Sequence, residues 1–435
     1  MDIKLIFRAL KHRNYRLFFT GQVISLSGTW MQMIAMSWLV YRITNSPLLL
    51  GLVGFLGQIP SFFLMPFAGV IADRYNRQRI LLITQIAAML QALVLSFLVM
   101  TNSVQVWQIV LLSVILGFVN SFDIPVRQAF TIEMIENKED LGNAIALNSS
   151  MVNIARLIGP SIAGIIIATL GEGPCFLLNA LSYVAVIISL LMMQISQKKS
   201  RQARRHVLHE LKEGFVYAFT FIPIKHILIL LSLVSLTGVP YQVLMPIFAK
   251  DIFHGGPQTL GFLMSMAGLG ALMGAIYLAA RRSVIGLGRI IALAALCFGI
   301  GVSIFSFSKN LWISLLLICF AGFSMMVQMA ASNTILQTIV EEDKRGRVMS
   351  FYTMSFMGMT PFGSLLAGSL ANKIGAPGTL LCGGICCIIG ALVFFQKLPL
   401  IRKHIRPIYV KKGIIPEEVV RGIGAASGLE VLSEK

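Results

Sequence analysis

Long apolar runs separated by short polar loops constrain this chain more than any other feature. A helix needs about 20 apolar residues to cross the hydrocarbon core of a bilayer. Twelve runs match that length, at 17–40, 48–72, 80–100, 106–130, 141–170, 174–195, 224–249, 258–280, 289–308, 310–339, 346–373 and 376–396. The runs lack the alternation of barrel strands, and lipid requires each backbone to be satisfied within its own segment. The sequence therefore predicts an all-α membrane protein with twelve transmembrane helices.

The composition excludes several other classes. Apolar residues make up 56% of the chain and charged residues 12%, whereas soluble domains carry about 25% charged residues. So few charges cannot cover a water-facing surface, which excludes a soluble enzyme, a secreted scaffold and a disordered chain. The net charge of +18 does not indicate nucleic acid, because no basic helix with interleaved aromatics is present. The six cysteines lie in or beside apolar runs without metal-ligand spacing, and no metal site is predicted.

The lysines and arginines predict the orientation. Thirty of the 36 fall in alternate loops and both termini, whereas four lie in the opposite loops, at Arg42, Lys250, Lys309 and Lys373. Basic residues are retained on the cytoplasmic side of membranes, so both termini are predicted to be cytoplasmic. The first apolar run is too long for the core of a cleavable signal peptide.

The twelve runs divide into two sets of six. We predict an N-terminal six-helix bundle at 1–197, a cytoplasmic linker with a short amphipathic helix at 198–215, a C-terminal bundle at 216–397 and a cytoplasmic tail at 398–435. A shift of 204 residues aligns the halves; it superposes Gly142 on Gly346, Gly159 on Gly363, Gly164 on Gly368 and Gly171 on Gly375. Two parallel repeats are typical of transporters that rock two bundles about a central site.

The loop after the second run reads GVIADRYNRQR, and its key residues are Gly69, Asp73, Arg74, Arg77 and Arg79. A simple cytoplasmic loop explains the arginines but not the aspartate. The segment resembles the loop motif of the major facilitator superfamily, in which an acid and basic residues form a charge relay that gates the inner side. The expected second copy is degraded, because Gly274 is followed by Arg281 and Arg282 without an acid.

The fifth run carries a second motif, Gly159, Pro160 and Gly164. It partly resembles the antiporter motif of exporters in that superfamily, where glycine and proline bend the helix and allow tight packing. The alternative is an ordinary small-residue packing face.

Further segments narrow the resemblance to one branch. They read NSFDIPVRQAF (120–130), NIARLIGP (153–160), HELKEGFVYAF (209–219), GVPYQVLMPIFA (238–249) and RGRVMSFYTMS (345–355). Over residues 10–396 the chain resembles the transmembrane secretion effector group, the enterobactin-exporter-like branch of the superfamily. The resemblance implies proton antiport without a cofactor, alternating access, a monomer and a bacterial inner membrane.

Charged residues within spans are expensive and indicate function. Asp123 and Arg127 are four residues apart and can pair on one helix face, with Glu133 at the cytoplasmic edge. Arg156 lies about 15 residues, or ~22 Å, into its helix, near the midplane. Asp123 is predicted either to couple proton movement or to form a gating pair with Arg127. Arg156 is predicted to contact an anionic substrate or Asp123, or to hydrogen-bond between helices.

Neutral polar residues complete the predicted cavity. They are Gln22, Gln32, Gln58, Asn120, Asn148, Asn153, Tyr241, Gln242, Gln328, Asn333 and Tyr352. Interhelical hydrogen bonds are the alternative role for each of them. Together with 28 Phe and 22 Met, whose side chains adapt to irregular apolar surfaces, they favour an amphipathic cargo. Pro240 and Pro246 are expected to break the seventh span.

These patterns predict a secondary transporter that exports siderophore- or drug-like molecules by proton antiport. An importer or facilitator of an organic solute with the same fold is the alternative. The sequence contains no HExxH, no G-x-S-x-G and no G-x-x-x-x-G-K-[ST], so neither an intramembrane enzyme nor an ATP-driven pump is predicted.

Overall fold

The computed structural model describes residues 7–194, 215–281 and 283–415, and all regular secondary structure in these ranges is helical. Six long helices form the first half, residues 7–194. They are α1 (Arg13–Thr44), α2 (Pro47–Arg74), α3 (Arg77–Met100), α4 (Val106–Glu133), α5 (Leu141–Leu170) and α6 (Gly173–Met192).

The second half, residues 215–415, is less regular. Its helices are α7 (Ile222–Thr237), α8 (Tyr241–Ile247), α9 (Pro257–Ala279), α10 (Leu287–Phe307), α11 (Leu311–Ile339), α12 (Glu342–Thr353) and α13 (Met359–Lys411). Turns of π-helix follow α8 at Phe248–Ile252 and α12 at Met354–Gly358. The predicted break of the seventh span occurs at residues 238–240, whereas Pro246 lies inside α8.

Eleven helices of the described ranges are long and apolar enough to cross a membrane. The last of them, Lys344–Lys411, has 68 residues and is interrupted at Gly375, where φ is 77° and ψ is 163°. The predicted runs 346–373 and 376–396 lie on either side of this interruption. The count of twelve spans and the cytoplasmic termini stay predictions.

Only some of the predicted domain boundaries fall within the described residues. Most of the linker at 198–215 and the end of the tail, 416–435, lie outside the described residues. The start of the predicted tail continues α13 to Lys411, and Leu398, Ile401 and Ile405 are buried there. Residues 398–411 are therefore a helix packed against the protein.

Two helix pairs join the halves, α5 with α9 and α2 with α13. Glycines allow both approaches. A Cβ on Gly261 would lie 2.5 Å from the Pro160 carbonyl oxygen, and one on Gly51 would lie 2.5 Å from the Ser364 carbonyl oxygen. Because any side chain would force these helices apart, the contacts depend on glycine.

The halves meet at one end of the molecule and separate toward the other. We call the end where α1 finishes at Thr44 and α9 begins at Pro257 the closed end, and the end where α2 finishes at Arg74 the basic end. The glycine contacts between α5 and α9 extend from the closed end only as far as Gly268. Toward the basic end, α4 and α12 pack mainly within their own halves. Among the described residues, packing between the halves is therefore concentrated at the closed end and in the middle of the molecule.

The residues aligned by the 204-residue shift occupy matching environments. Gly164 and Gly368 each pack across the boundary between the halves, on α9 and α2 respectively. Gly171 and Gly375 both have positive φ, 85° and 77°, a conformation that favours glycine. The repeat read from the sequence thus corresponds to repeated structure.

Candidate transport site and gates

Arg156 lies halfway along α5, where three helices from both halves converge. The guanidinium carbon stands 5.7 Å from the centroid of the Trp30 ring on α1. Gly159 brings these helices together, since a Cβ there would lie 2.7 Å from Trp30 Cβ. From the second half, Gly268 on α9 approaches the Arg156 carbonyl oxygen so closely that a Cβ would lie 2.7 Å from it.

Tyr241 adds a polar group from the second half. Its side chain is 1% exposed, and Arg156 and Gln242 lie against its hydroxyl group. The hydroxyl nevertheless has no hydrogen bond of regular geometry. Among the described residues no carboxylate forms an ion pair with Arg156. The centre between the halves thus holds a half-buried cation for which the described ranges provide no counter-charge.

An apolar pocket of about 240 Å³ lies between α1 and α5 on the basic-end side of Arg156. Its lining includes Phe19, Val23, Leu147 and Ile154, with Ser27 and Ser150 as the polar contributors. Ala155 precedes Arg156 in the chain and Ser27 lies three residues before Trp30, but neither Arg156 nor Trp30 lines the pocket.

Asp123 lies inside the first half, 4% exposed. Its carboxylate is 3.1 Å from Arg127 and accepts hydrogen bonds from Thr84 at 3.0 Å and Gln85 at 2.7 Å. Arg127 donates to Gln22 on α1 at 2.9 Å. The structure confirms the pairing of Asp123 with Arg127 on one helix face but does not bring Asp123 to Arg156.

Other predicted cavity residues are engaged within the first half. Gln32 donates to Gln91 at 3.1 Å and accepts from Asn179 at 2.7 Å. Asn148 accepts from Tyr15 at 3.0 Å, and Asn153 donates to the Ser149 carbonyl at 2.9 Å. Sequence analysis missed Gln91, Thr84, Gln85 and Asn179, although each is a polar residue inside an apolar run.

The remaining cavity candidates are spread over both halves. Gln58 is exposed and Asn120 is half-buried. Asn333 accepts a hydrogen bond from Gln337, and Tyr352 donates to the Met329 carbonyl at 3.1 Å. Gln328 is buried, and its amide nitrogen lacks a hydrogen-bond partner. Of the predicted cavity set, only Tyr241 and Gln242 are grouped with Arg156.

Residues at the closed end form a latch between the halves, which we call the closed-end latch: Tyr41, Asn45, Lys250 and Asp251. Tyr41 donates a hydrogen bond to Asp251, and Lys250 donates to Asn45 at 2.6 Å. The Lys250 ammonium also lies 5.4 Å from the centroid of the Tyr41 ring. Deeper in the molecule, Ser161 donates to Ser265 at 2.7 Å. These are the hydrogen bonds that join the halves in the described ranges, and sequence analysis identified none of them.

The basic end carries the predicted gate motif. Arg77, the first residue of α3, pairs with Glu133 at 2.8 Å, which joins the start of α3 to the end of α4. Arg74 and Arg79 are exposed. Gly69 lies within α2. The side chain of Asp73 lies outside the described part of the chain, so the acid of the charge relay stays a prediction.

A second charged cluster at the basic end was not predicted. Asp140, at the start of α5, is 2% exposed and pairs with Arg8 at 2.8 Å, Lys11 at 2.7 Å and His12 at 2.9 Å. Hydrogen bonds from Lys11 and His12 hold the pKa of the Asp140 carboxyl below its ordinary value. The cluster fastens the segment before α1 to the start of α5. The described part of the chain contains no group of three or more potential metal ligands.

The model of the transmembrane secretion effector family matches residues 6–411. The staphyloferrin A transporter of Staphylococcus aureus is 28% identical over 380 residues, 87% of this chain and 94% of that protein. The multidrug efflux pump Tap of Mycolicibacterium fortuitum is 25% identical over 390 residues, 87% of this chain and 93% of that protein. Relatives of this chain thus include both siderophore and drug transporters.

The fold has a counterpart among solved structures. A bacterial homologue of the human lysosomal transporter Spinster, in an inward-facing and unoccupied conformation, has a TM-score of 0.68 and 13% identity. The match covers 90% of this chain and 98% of that one. Similarity at this level of identity concerns the fold alone.

Proposed function

Because the chain belongs to the transmembrane secretion effector family of the major facilitator superfamily, we propose that it exports small amphipathic molecules by proton antiport. The cargo is siderophore- or drug-like, in keeping with the named activities of its relatives. The transporter works as a monomer in the inner membrane of a bacterium and requires no cofactor beyond the proton gradient.

The chain crosses the membrane twelve times, with α12 and α13 supplying the last two crossings. A helix of 68 residues would be about 100 Å long, more than three times the ~30 Å hydrocarbon thickness, and Gly375 is where it turns back. The basic end faces the cytoplasm because loops rich in lysine and arginine stay on that side. The closed end then faces outward, and the conformation is inward-open.

The observation that carries the proposal is that packing between the halves, among the described residues, is concentrated toward the closed end. Glycine contacts of α5 with α9 and of α2 with α13, together with the closed-end latch, seal the outer side. The interior site at Arg156 remains reachable from the basic end. Rocking the halves about this level would close the basic end and open the other, which is alternating access.

Asp123 is the candidate for proton coupling. It is buried in a span, and its charge is balanced by Arg127. Protonation would remove the anion that holds Arg127, and Arg127 is in turn bonded to Gln22 on α1. A change in the protonation of Asp123 would therefore alter the contacts of α1, the helix that carries Trp30 and Tyr41. Glu133 and Arg77 serve the gate at the basic end rather than the coupling step.

The test uses everted membrane vesicles with an acidic interior and a pH-sensitive dye. Siderophores, macrolides and cationic dyes are added outside, where the cytoplasmic face is exposed. Antiport predicts proton efflux on addition of a cargo and its loss in Asp123→Asn. Glu136→Gln, at an exposed position in the loop between α4 and α5, is the control that retains efflux.

The same vesicles separate export from import. An importer that uses proton symport would move protons out only when cargo is preloaded inside the vesicles. Efflux under that condition alone would replace the export proposal by its alternative. Cargo-driven efflux that survives Asp123→Asn would remove Asp123 from the coupling step.

A further inference from the structure

We infer that the cargo carries a carboxylate, which Arg156 binds together with the Tyr241 hydroxyl group. The inference rests on the proposed function, since it takes the centre between the halves to be the cargo site. It adds the chemical class of the cargo and the residues that select it.

The first argument is the missing counter-charge. A guanidinium within a membrane protein is costly unless an anion or water balances it. Two other described arginines in or beside spans have such a partner: Arg127 pairs with Asp123 at 3.1 Å and Arg42 with Glu172 at 2.6 Å. Arg156 contacts the face of Trp30 instead. Among the described residues Arg156 therefore has no carboxylate partner, and the cargo would supply the anion.

The second argument is the unsatisfied hydroxyl of Tyr241. Buried hydroxyl groups almost always have a hydrogen-bond partner, and leaving one unpaired is unfavourable. This hydroxyl is buried and has no hydrogen bond of regular geometry, and Arg156 and Gln242 lie against it. An oxyanion placed between the two groups would accept from both, and a carboxylate matches the planar, two-pronged geometry of a guanidinium.

The third argument is the surroundings. Trp30 provides an aromatic face beside the guanidinium. A simple inorganic anion would leave that aromatic face unused. An amphipathic carboxylate would place its charged end at Arg156 and an apolar group against Trp30.

Matched probe pairs test this class in the full-length protein in nanodiscs of zwitterionic lipid. Each pair joins a carboxylate to its uncharged primary amide: naphthylacetate with naphthylacetamide, and indole-3-butyrate with its amide. Binding at pH 7.5 is measured by calorimetry and by quenching of tryptophan fluorescence. We expect the carboxylates to bind and the amides to bind at least about 10-fold more weakly, as for loss of a hydrogen bond to a charged group.

Three variants locate the binding. Arg156→Gln is expected to weaken carboxylate binding about 10- to 150-fold and to leave amide binding unchanged. Arg156→Lys keeps the charge and the fold but lacks the two-pronged geometry of the guanidinium. Its affinity for the carboxylates should therefore lie between those of the wild type and Arg156→Gln. Tyr241→Phe is expected to weaken binding about 2- to 12-fold. Arg289→Gln, at an exposed position near the start of α10, is the control without effect.

Three results would overturn the inference. They are equal binding of each carboxylate and its amide, carboxylate binding that is unchanged in both Arg156 variants, and no binding of either carboxylate. The vesicle experiment keeps this failure separate from failure of the proposed function. Proton efflux driven by macrolides or cationic dyes would leave the exporter standing with a different cargo class.

Discussion

Replacing Gly261 with alanine should shift the transporter toward the state that is open at the closed end. A Cβ at this position on α9 would lie 2.5 Å from the Pro160 carbonyl oxygen, 0.9 Å short of the 3.4 Å at which ordinary contact begins. The neighbouring atoms are backbone, including Gly164 Cα at 3.1 Å, and cannot rotate away. Relief therefore requires α5 and α9 to separate.

The size of the shift follows from the cost of overpacking. Inserting a methyl group into a tightly packed contact costs about 1–3 kcal/mol. The cost applies only while α5 and α9 touch, so the equilibrium between the two states shifts about 5- to 150-fold. A minor state at about 1% would rise to between roughly 5% and 60%.

Distances between spin labels would measure this shift. One label replaces Asn102, between α3 and α4, and the other Lys309, between α10 and α11, in a background without the native cysteines. Both sites are exposed at the closed end. Gly261→Ala should produce a second, longer distance that is weak or absent in the parent.

Gly142→Ala is the matched control, because a Cβ there has no atom within 4 Å. The two variants should differ in the distance distribution. If Gly261→Ala gives the distribution of the control, the glycine contact does not hold the closed end shut. If Gly261→Ala only lowers the melting temperature and adds no second distance, the contact serves folding rather than gating.

Three further predictions concern the latch, the charged cluster and the backbone. Asp251→Asn replaces the charged acceptor of the Tyr41 hydrogen bond with a neutral one. A hydrogen bond to a charged group contributes about 1–1.5 kcal/mol more than a neutral one, so the same labels should show a shift of about 5- to 12-fold. An unchanged distribution would show that the charge of Asp251 is dispensable for the latch. Asp140→Asn should lower the melting temperature at neutral pH, because a carboxyl whose pKa is depressed on folding stabilises the protein above its unfolded pKa. The difference from wild type should persist at pH 5 and disappear only as the pH falls below the ordinary value of 3.8; a difference that vanished near pH 6 would contradict this cause. Gly375 has φ 77° and ψ 163°, so Gly375→Ala should destabilise the protein toward denaturing detergent by about 1–3 kcal/mol. Gly378→Ala, whose added Cβ would make only ordinary contacts from 3.5 Å, should not. Equal effects of the two variants would contradict the strain argument.

Hydropathy and charge identified the helices because they depend on local sequence. The predicted runs lie within the described helical segments to within one residue, apart from two regions. In the first, run 174–195 extends past the end of α6 at Met192; in the second, run 224–249 is interrupted at residues 238–240. Each run must satisfy its own backbone in lipid, so length and apolarity decide its helical state. The repeat was also legible, since glycines needed for close approach recur at a fixed spacing.

The partners of the polar residues could not be derived in the same way. The sequence allowed Arg156 to face Asp123, yet Arg156 packs on Trp30 and Asp123 binds Thr84 and Gln85. Lipid and protein interior are about equally apolar, so a transmembrane helix carries little pattern to show which side faces its neighbours. Helix rotation, and hence each pairing, is set by packing between helices.

The sequence by itself determined the class of the protein, the approximate helix boundaries and the set of charges placed inside apolar runs. The tertiary structure decided which of those charges meet, which end of the molecule is closed, and that Tyr41 and Asp251, 210 residues apart, touch. Such contacts between distant residues depend on how the halves are arranged. The proposed rocking mechanism requires at least two such arrangements for one sequence, so no local pattern would specify the one observed.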